Sequence, residues 1–142
     1  MKRVQEIDLE LKNLPGQTLS IAQLLGANGI NIIGLYLSAD AEEGRLRLLT
    51  NDPKKACNIL KTSGYRIQTR DVVACEVPHH PGGLTVVLKS LNAAGIHIDY
   101  MYPCLATGDI TVLVLGVDRV EEAVTALEGD WIRVLGEDLY HI

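Results

Sequence analysis

The chain has 142 residues, of which 47% are hydrophobic and 22% charged, and its formal net charge is −5. This composition is typical of a soluble globular protein and excludes a low-complexity or disordered chain. A nucleic-acid partner would require a basic face, and the Lys and Arg residues are instead scattered along an acidic chain.

The amino terminus becomes acidic before an apolar run can form, so we expect no signal peptide. No apolar run approaches the roughly 18 residues that a membrane helix needs, so we expect no membrane partner. The three cysteines, Cys57, Cys75 and Cys104, lack the spacing of a disulfide framework or a zinc site. They are typical of buried thiols in a reducing compartment, and we therefore expect a cytoplasmic protein.

The first half of the chain reads as alternating strands and helices. Apolar side chains recur at every second residue in the strands and at helical spacing in the helices. Pro15-Gly16 and Asn28-Gly29 mark the turns around the first helix, and Asp52 with Pro53 begins the second. The predicted elements are strands over 7–11, 30–37, 45–50 and 65–71, with helices over 18–25 and 53–63.

The second half repeats this order with a clearer pattern. Asp118 and Glu121 have the spacing of a capping box before the second helix. The predicted elements are strands over 73–77, 96–101, 110–115 and 131–135, with helices over 84–91 and 120–127.

The two halves are copies of each other. Pro15-Gly16 recurs as Pro81-Gly82, an offset of 82 − 16 = 66, and the same offset relates Gly29-Ile30 to Gly95-Ile96 and Asp52 to Asp118. Beyond Asp52 the alignment slips by one residue. The sequence therefore predicts a tandem duplication, with a first copy over residues 1–70 and a second over residues 71–142.

Each copy has the order β-α-β-β-α-β, which is that of the ferredoxin-like fold. Right-handed crossovers place both helices on one face of an antiparallel sheet. The predicted fold class is therefore α+β, with two ferredoxin-like units. Residues 110–115 and 30–37 are apolar at nearly every position, which indicates that both sheet faces are covered, by another sheet of the chain or of a partner subunit. On this ground we expect a homodimer.

Two short motifs in each copy resemble those of the ACT domain. The first copy carries Asn13-Leu14-Pro15-Gly16 and Gly29-Ile30-Asn31-Ile32, and the second carries His80-Pro81-Gly82-Gly83-Leu84 and Gly95-Ile96-His97-Ile98. The likeness covers almost the whole chain, so the chain looks like a free-standing tandem ACT protein without a catalytic domain. This resemblance implies regulatory binding of a small molecule, an amino acid.

The resemblance also implies where the ligand lies: between the loop that joins strand one to helix one in one unit and the start of strand two in a neighbouring unit. The free N–H groups at a helix N-terminus suit a carboxylate, and glycine lets the ligand approach the backbone. Carried over by position, the candidate ligand-binding residues are Asn13, Leu14, Pro15, Gly16, Gln17, Thr18, Asn31, Ile32 and Ile33 in the first copy, and His79, His80, Pro81, Gly82, Gly83, Leu84, His97, Ile98 and Asp99 in the second.

The second copy departs from the family pattern, because His97 stands where the family usually has Asn and its loop carries His79-His80. The two sites need not bind the same ligand. These histidines with Cys104 do not have the spacing of a zinc site, and Cys104 has no recognisable base beside it. We expect no metal, no cofactor and no catalytic residues.

Three classes of function remain to be weighed. A regulatory ligand-binding module explains both the apolar strands and the two Pro-Gly loops at helix N-termini. A structural interaction protein that assembles through its sheets and binds no small molecule explains only the strands. A small enzyme on the same fold would need a set of converging titratable groups that the sequence does not show.

Overall fold

The computed structural model describes residues 2–12, 15–41, 43–105 and 107–142. It confirms the predicted α+β class and the order β-α-β-β-α-β in each copy, since β4 ends the first and begins the second. The elements are β1 (Val4–Lys12), α1 (Gln17–Ala27), β2 (Ile32–Ala39), β3 (Glu43–Thr50), α2 (Pro53–Thr62), β4 (Ile67–Val77), α3 (Gly83–Ala93), β5 (Ile98–Pro103), β6 (Thr111–Val117), α4 (Val120–Gly129), β7 (Val134–Leu135) and a terminal 3-10 helix (Glu137–His141).

The chain forms two compact units. The first is Gln5–Arg70, and the second is Asp71–Ile142 with the chain up to Val4. None of the helices in the described ranges is long and apolar enough to cross a membrane.

In the first unit β3 lies between β1 and β2, and both pairings are antiparallel. Alternate side chains of β1 and β3 point toward the helices, as the period of a strand requires. They bury one core with the apolar faces of both helices. The core residues are Ile7, Leu9, Leu11, Ile21, Leu25, Ile30, Leu46, Leu48, Ala56, Cys57 and Leu60.

In the second unit β4 pairs with β6 and β7, and β6 pairs with β5, all antiparallel. The core again joins one sheet face to both helices. Its residues are Val73, Cys75, Val87, Leu91, Ile96, Leu113, Leu115, Val117, Ala123, Val124, Leu127, Ile132 and Val134.

The helix-free face of the second sheet is buried as well, as the continuous apolar strands predict. Val72, Ala74, Val112 and Val114 point away from the helices, and none is more than 1% exposed in the single chain. Their burial therefore does not require a partner subunit. Tyr36 to Ala39, at the end of edge strand β2, are exposed in the single chain, so coverage of this part by a partner subunit stays a prediction.

The offset between equivalent residues of the two copies changes by one, and this change lies earlier in the chain than the sequence alignment placed it. Tyr36 pairs with Arg47 and Tyr102 pairs with Val114, so the offset is 102 − 36 = 66 in the second strand and 114 − 47 = 67 in the third. The extra residue of the second copy is therefore in the turn between these strands, which leaves the apolar pattern unchanged. As a result Asp118 is equivalent to Asn51, and Asp52 is equivalent to Arg119.

The predicted helix caps had different outcomes. The carboxylate of Asp52 accepts a hydrogen bond from the Lys55 N–H at 3.1 Å, which confirms it as the cap of α2. The capping box at Asp118 was wrong: the residue before α4 is Arg119, which makes no side-chain cap. Asp118 instead accepts a long-range hydrogen bond from the His97 N–H at 3.0 Å, which a local motif cannot reveal.

A cation stabilises the C-terminal end of the first helix in each copy. Lys55 Nζ donates to the Asn28 carbonyl oxygen at 2.8 Å, after α1. After α3, the guanidinium of Arg119 donates to the Gly95 carbonyl oxygen and forms an ion pair with Glu122. Both contacts satisfy carbonyl groups that the helix leaves unpaired and place positive charge at its negative end.

The last predicted strand is much shorter than expected. Only Val134–Leu135 pair with β4, at the positions of Cys75 and Ala74. Trp131 has a positive φ of 61° and is 96% exposed, so it belongs to the turn after α4. The apolar character of residues 131–135 therefore reflects one exposed residue, Trp131, the core residue Ile132 and a short strand.

Candidate functional site

The two Pro-Gly loops have the same backbone geometry. Gly16 precedes α1 with φ 85° and Gly82 precedes α3 with φ 86°, and neither helix has a side-chain cap. This left-handed conformation is one that glycine adopts without strain. Of the predicted loop residues, Asn13 and Leu14 lie outside the described residues.

The described residues leave the two loop glycines unobstructed. A Cβ atom added at Gly16 or Gly82 would meet none of them within 4 Å. Among the described residues no acceptor pairs with the backbone N–H groups of Thr18 and Leu19 in α1, or of Leu84 and Thr85 in α3. Each helix therefore presents uncapped donors to an accessible surface, as an anion site requires.

The loop of the second unit is tightly closed. The Gly83 N–H donates to the His80 carbonyl oxygen at 3.0 Å, and His80 Nδ1 lies 2.9 Å from the Pro81 carbonyl oxygen. A Cβ atom at Gly83 would overlap the Pro78 carbonyl oxygen. The equivalent residue of the first copy is Gln17, so this close approach is particular to the second. His79 and His80 themselves are exposed.

The start of strand two is held in the same way in both units. The Asn31 N–H donates to Asn51 Oδ1 at 2.9 Å, and the Asn51 N–H donates back to the Asn31 carbonyl oxygen at 3.1 Å. His97 and Asp118 make the matching pair, at 3.0 and 3.2 Å. These bonds replace ladder pairing, so β2 and β5 begin at Ile32 and Ile98, two residues later than predicted.

A β-bulge follows at once in both strands, because the register shifts between Ile32 and Gly34 and between Ile98 and Tyr100. The bulged residues are the predicted site residues Ile33 and Asp99. Bulges redirect side chains and are common beside binding sites. Ile33 is buried, with 4% exposure, and offers a ligand only its backbone. The carboxylate of Asp99 is accessible and lies 3.5 Å from His97 Nε2.

Neither unit brings its two predicted segments together. Gly16 precedes α1 and Asn31 follows it, and the 11 residues of this helix span about 16 Å. The same separation holds for Gly82 and His97 across α3. The expectation that a loop faces the strand-two start of a neighbouring unit stays a prediction.

One predicted segment in each unit borders a concave surface. In the second unit a groove of about 460 Å³ runs beside α3, and His97 and Ile98 line it with Thr85, Leu88 and Asn92. Sequence reasoning missed the three helix residues, although their spacing of three and four places them on one helix face.

In the first unit a cavity of about 330 Å³ borders Gln17 at the start of α1. Lys12 and Arg66 also line it. Glu10 and Glu43 line it as well, so the positive charges of Lys12 and Arg66 stand beside two carboxylates. Sequence reasoning missed Arg66 because it lies just before β4, far along the chain from the Pro-Gly loop.

The environment of Cys104 does not suit a catalytic nucleophile. Burial raises the pKa of the Cys104 thiol to about 11 and that of Cys75 to about 12. At neutral pH both thiols are protonated, whereas a catalytic cysteine needs a lowered pKa. Within the described ranges no three His, Cys, Asp or Glu side chains are grouped so as to hold a metal ion.

The sequence as a whole matches a known family. Residues 2–138 correspond to the family described as an ACT domain pair. The chain belongs to this family. The match spans both units and includes both Pro-Gly loops and both strand-two starts.

Solved structures share this ACT fold over nearly the full length. Protein BT0572 from Bacteroides thetaiotaomicron is 28% identical, with a TM-score of 0.91 over 99% of this chain and 97% of that one. The regulatory subunit of aspartate kinase from Thermus thermophilus is 14% identical, with a TM-score of 0.64 over 92% and 94%. That from Thermus flavus is also 14% identical, with a TM-score of 0.56 over 92% and 94%. Among curated proteins none matches.

The pair that holds strand two in the second ACT unit predicts a pH dependence. Desolvation raises the pKa of Asp118, but the hydrogen bond from the His97 N–H and the charge of Arg119 outweigh it and hold this pKa below its ordinary value. A depressed folded-state pKa stabilises the fold at neutral pH, and this stabilisation is lost as the pH falls below about 4.

We therefore expect Asp118→Asn to lower the free energy of unfolding at pH 7, with a difference from wild type that shrinks below about pH 4. Urea unfolding at several pH values measures it. Asp130→Asn is the matched control, because it removes the same charge from an exposed residue at the end of α4. A difference that is constant with pH would contradict the assignment.

Proposed function

We propose that this ACT domain pair is a regulatory protein that binds an amino acid and catalyses no reaction. The observation that carries the proposal is the repeated loop geometry. In both units a left-handed glycine after a proline leaves the N-terminus of the following helix without a side-chain cap and unobstructed by the described residues. Ser, Thr, Asp or Asn at this position would supply a side-chain oxygen to these N–H groups, which glycine lacks.

In this proposal the ligand carboxylate accepts hydrogen bonds from the N–H groups that follow Gly16 or Gly82. Its ammonium group is bound at the start of strand two, near Asn31 or Asp99. Since about 16 Å separates these segments within a unit, they belong to different units of the assembled site. We propose that a second copy of the chain supplies the opposing segment.

The two units are suited to different ligands. Charged side chains of both signs line the first-unit cavity beside Gln17, whereas the second-unit groove offers apolar Leu88 and Ile98 with the His97–Asp99 pair. A ligand with a polar side chain fits the first, and one with an apolar side chain fits the second.

The comparisons support a regulatory rather than a catalytic role. The regulatory subunits of aspartate kinase share the fold, and the family is that of the ACT domain pair. The protonated state of Cys104 also argues against thiol catalysis. All three cysteines are free, which supports our further proposal of a cytoplasmic location.

One observation favours the alternative of a structural interaction module. Tyr36 and Leu37, on the outer half of edge strand β2, are 36% and 51% exposed. An exposed apolar edge strand can pair with another chain. A melting-temperature screen of the common amino acids separates the two functions, since a structural module shows no shift with any of them.

The proposed site predicts a homodimer. Light scattering at micromolar concentration should give twice the chain mass of 15.5 kDa. Leu37→Lys adds a charge to the exposed edge and should shift the equilibrium toward monomer if β2 is the dimer edge. A monomeric wild-type protein would contradict the two-chain site.

A further inference from the structure

A second surface of the first unit has the features of a binding site, and it lies away from the predicted loop residues. On the helix-free face is a cavity of about 390 Å³, the β1 cavity, lined by Asp8, Glu10, Arg45, Arg66, Ile67 and Gln68. Leu9 and Leu11 enter the core beneath the helices, so Asp8 and Glu10 point to the opposite side.

One of the residues that line the β1 cavity, Asp8, has a buried carboxylate oxygen that accepts no hydrogen bond from the described residues. Asp8 is 9% exposed, and this oxygen is its Oδ1. The nearest cation is Arg47, whose Nε lies 3.5 Å from this oxygen and 3.8 Å from Glu6 Oε1. Because one guanidinium faces two carboxylates, Asp8 can accept a further positively charged donor.

Two arginines, Arg45 and Arg66, bring positive charge to the β1 cavity. Glu10 and Arg45 stand opposite each other in the β1–β3 pairing and form an ion pair at 3.0 Å, so their charges largely cancel. Arg66 has no ion-pair partner among the described residues and is exposed to the cavity. The amide of Gln68 lies beside it. A guanidinium of this kind binds a carboxylate through paired hydrogen bonds.

We propose that the β1 cavity binds a small zwitterion, a molecule with a carboxylate directed to Arg66 and an ammonium group directed to Asp8. The formal charges of its four ionisable lining residues cancel. A zwitterion preserves this balance, whereas a simple anion or cation would leave one charge uncompensated. The site shares Glu10 and Arg66 with the first-unit cavity beside Gln17, whereas Asp8, Ile67 and Gln68 line only the β1 cavity of the two.

The test is an NMR titration of the ¹⁵N-labelled protein with each of the twenty common amino acids as probe. We expect at least one to shift the amide signals of Glu10, Arg45 and Gln68 in a saturable way. Arg66→Gln should weaken this binding by about tenfold or more, since a hydrogen bond to a charged group is lost. Lys54→Gln, which removes a charge from the exposed surface of α2, should leave it unchanged.

Two analogues of the bound amino acid test the charge requirement: the carboxamide, which lacks the carboxylate, and the 2-hydroxy acid, which lacks the ammonium group. Both should bind at least about tenfold more weakly. Asp8→Asn should weaken the amino acid but not the 2-hydroxy acid. If that variant does not fold, Arg66→Gln alone decides.

The proposal is overturned if no amino acid shifts the cavity signals, if Arg66→Gln leaves the Kd unchanged, or if either analogue binds as well as the amino acid. The amides of Gly16, Thr18, Gly82 and Leu84 report separately on the loop sites. Shifts confined to these loop amides would support the proposed function and contradict the site in the β1 cavity.

Discussion

Gly16→Val and Gly82→Val should each abolish the thermal stabilisation that an amino acid gives at the affected loop. A ligand at 100 times its Kd stabilises the folded protein by about 2.7 kcal/mol per site, which raises the melting temperature by several degrees. The valine side chain would project into the space before the helix and exclude the ligand carboxylate from the backbone N–H groups. Melting curves with and without ligand measure the effect for each variant.

A valine at positive φ also strains the backbone, by about 1–2 kcal/mol or more. Gly108→Val controls for this, because Gly108 has φ 72° in the β5–β6 turn and an added Cβ would meet no described residue within 4 Å, as at the loop glycines. It should melt lower than wild type yet keep the full ligand shift. Ligand shifts that survive both loop substitutions would place the binding site elsewhere in the protein.

Gly83→Ala should destabilise the protein far more than a methyl group added at an unhindered helical glycine. The new Cβ would overlap the Pro78 carbonyl oxygen, a backbone atom that cannot move without opening the loop before α3. Overpacking usually costs about 1–3 kcal/mol, and we expect about 3 kcal/mol at this position, or a fall in melting temperature of roughly 10 °C. Urea unfolding and thermal melting measure it.

Two matched variants isolate the cause. Gly129→Ala makes the same change at the last residue of α4, where a Cβ meets no atom of the described chain within 4 Å, and should be neutral or slightly stabilising. Gln17→Ala alters the equivalent position of the first copy, which already carries a Cβ, and should cost little. If Gly83→Ala is as stable as Gly129→Ala, the Pro78 carbonyl group moves aside freely.

The order of strands and helices could be predicted because local signals agree with the final packing. Apolar residues alternate in β1 and recur at helical spacing in α3, and glycine marks the helix ends. The start of α2 at Asp52 and Pro53 could be predicted for the same reason, because the capping hydrogen bond spans only three residues. Where a structural role depends on neighbours in sequence, the pattern identifies it.

The features that were missed depend on contacts between distant residues. Asp118 has the local sequence of a cap, yet its partner is His97, 21 residues away. The extra residue in the second hairpin changes no apolar position and becomes visible only through strand register. The cavity residues Asp8, on β1, and Arg66, just before β4, are far apart in sequence and share no motif. The duplication helped with the loops because both copies could be compared.

The exchange of charge between the two copies limits how their parts can be recombined. At equivalent positions the first copy has Asp52 and Lys55, whereas the second has Arg119 and Glu122, and in each the cation contacts the end of the preceding helix. A chimera that grafts α4 and the residue before it in place of α2 therefore keeps a cation within reach of Asn28. A point exchange at one position alone leaves two like charges side by side, so these positions are expected to change together.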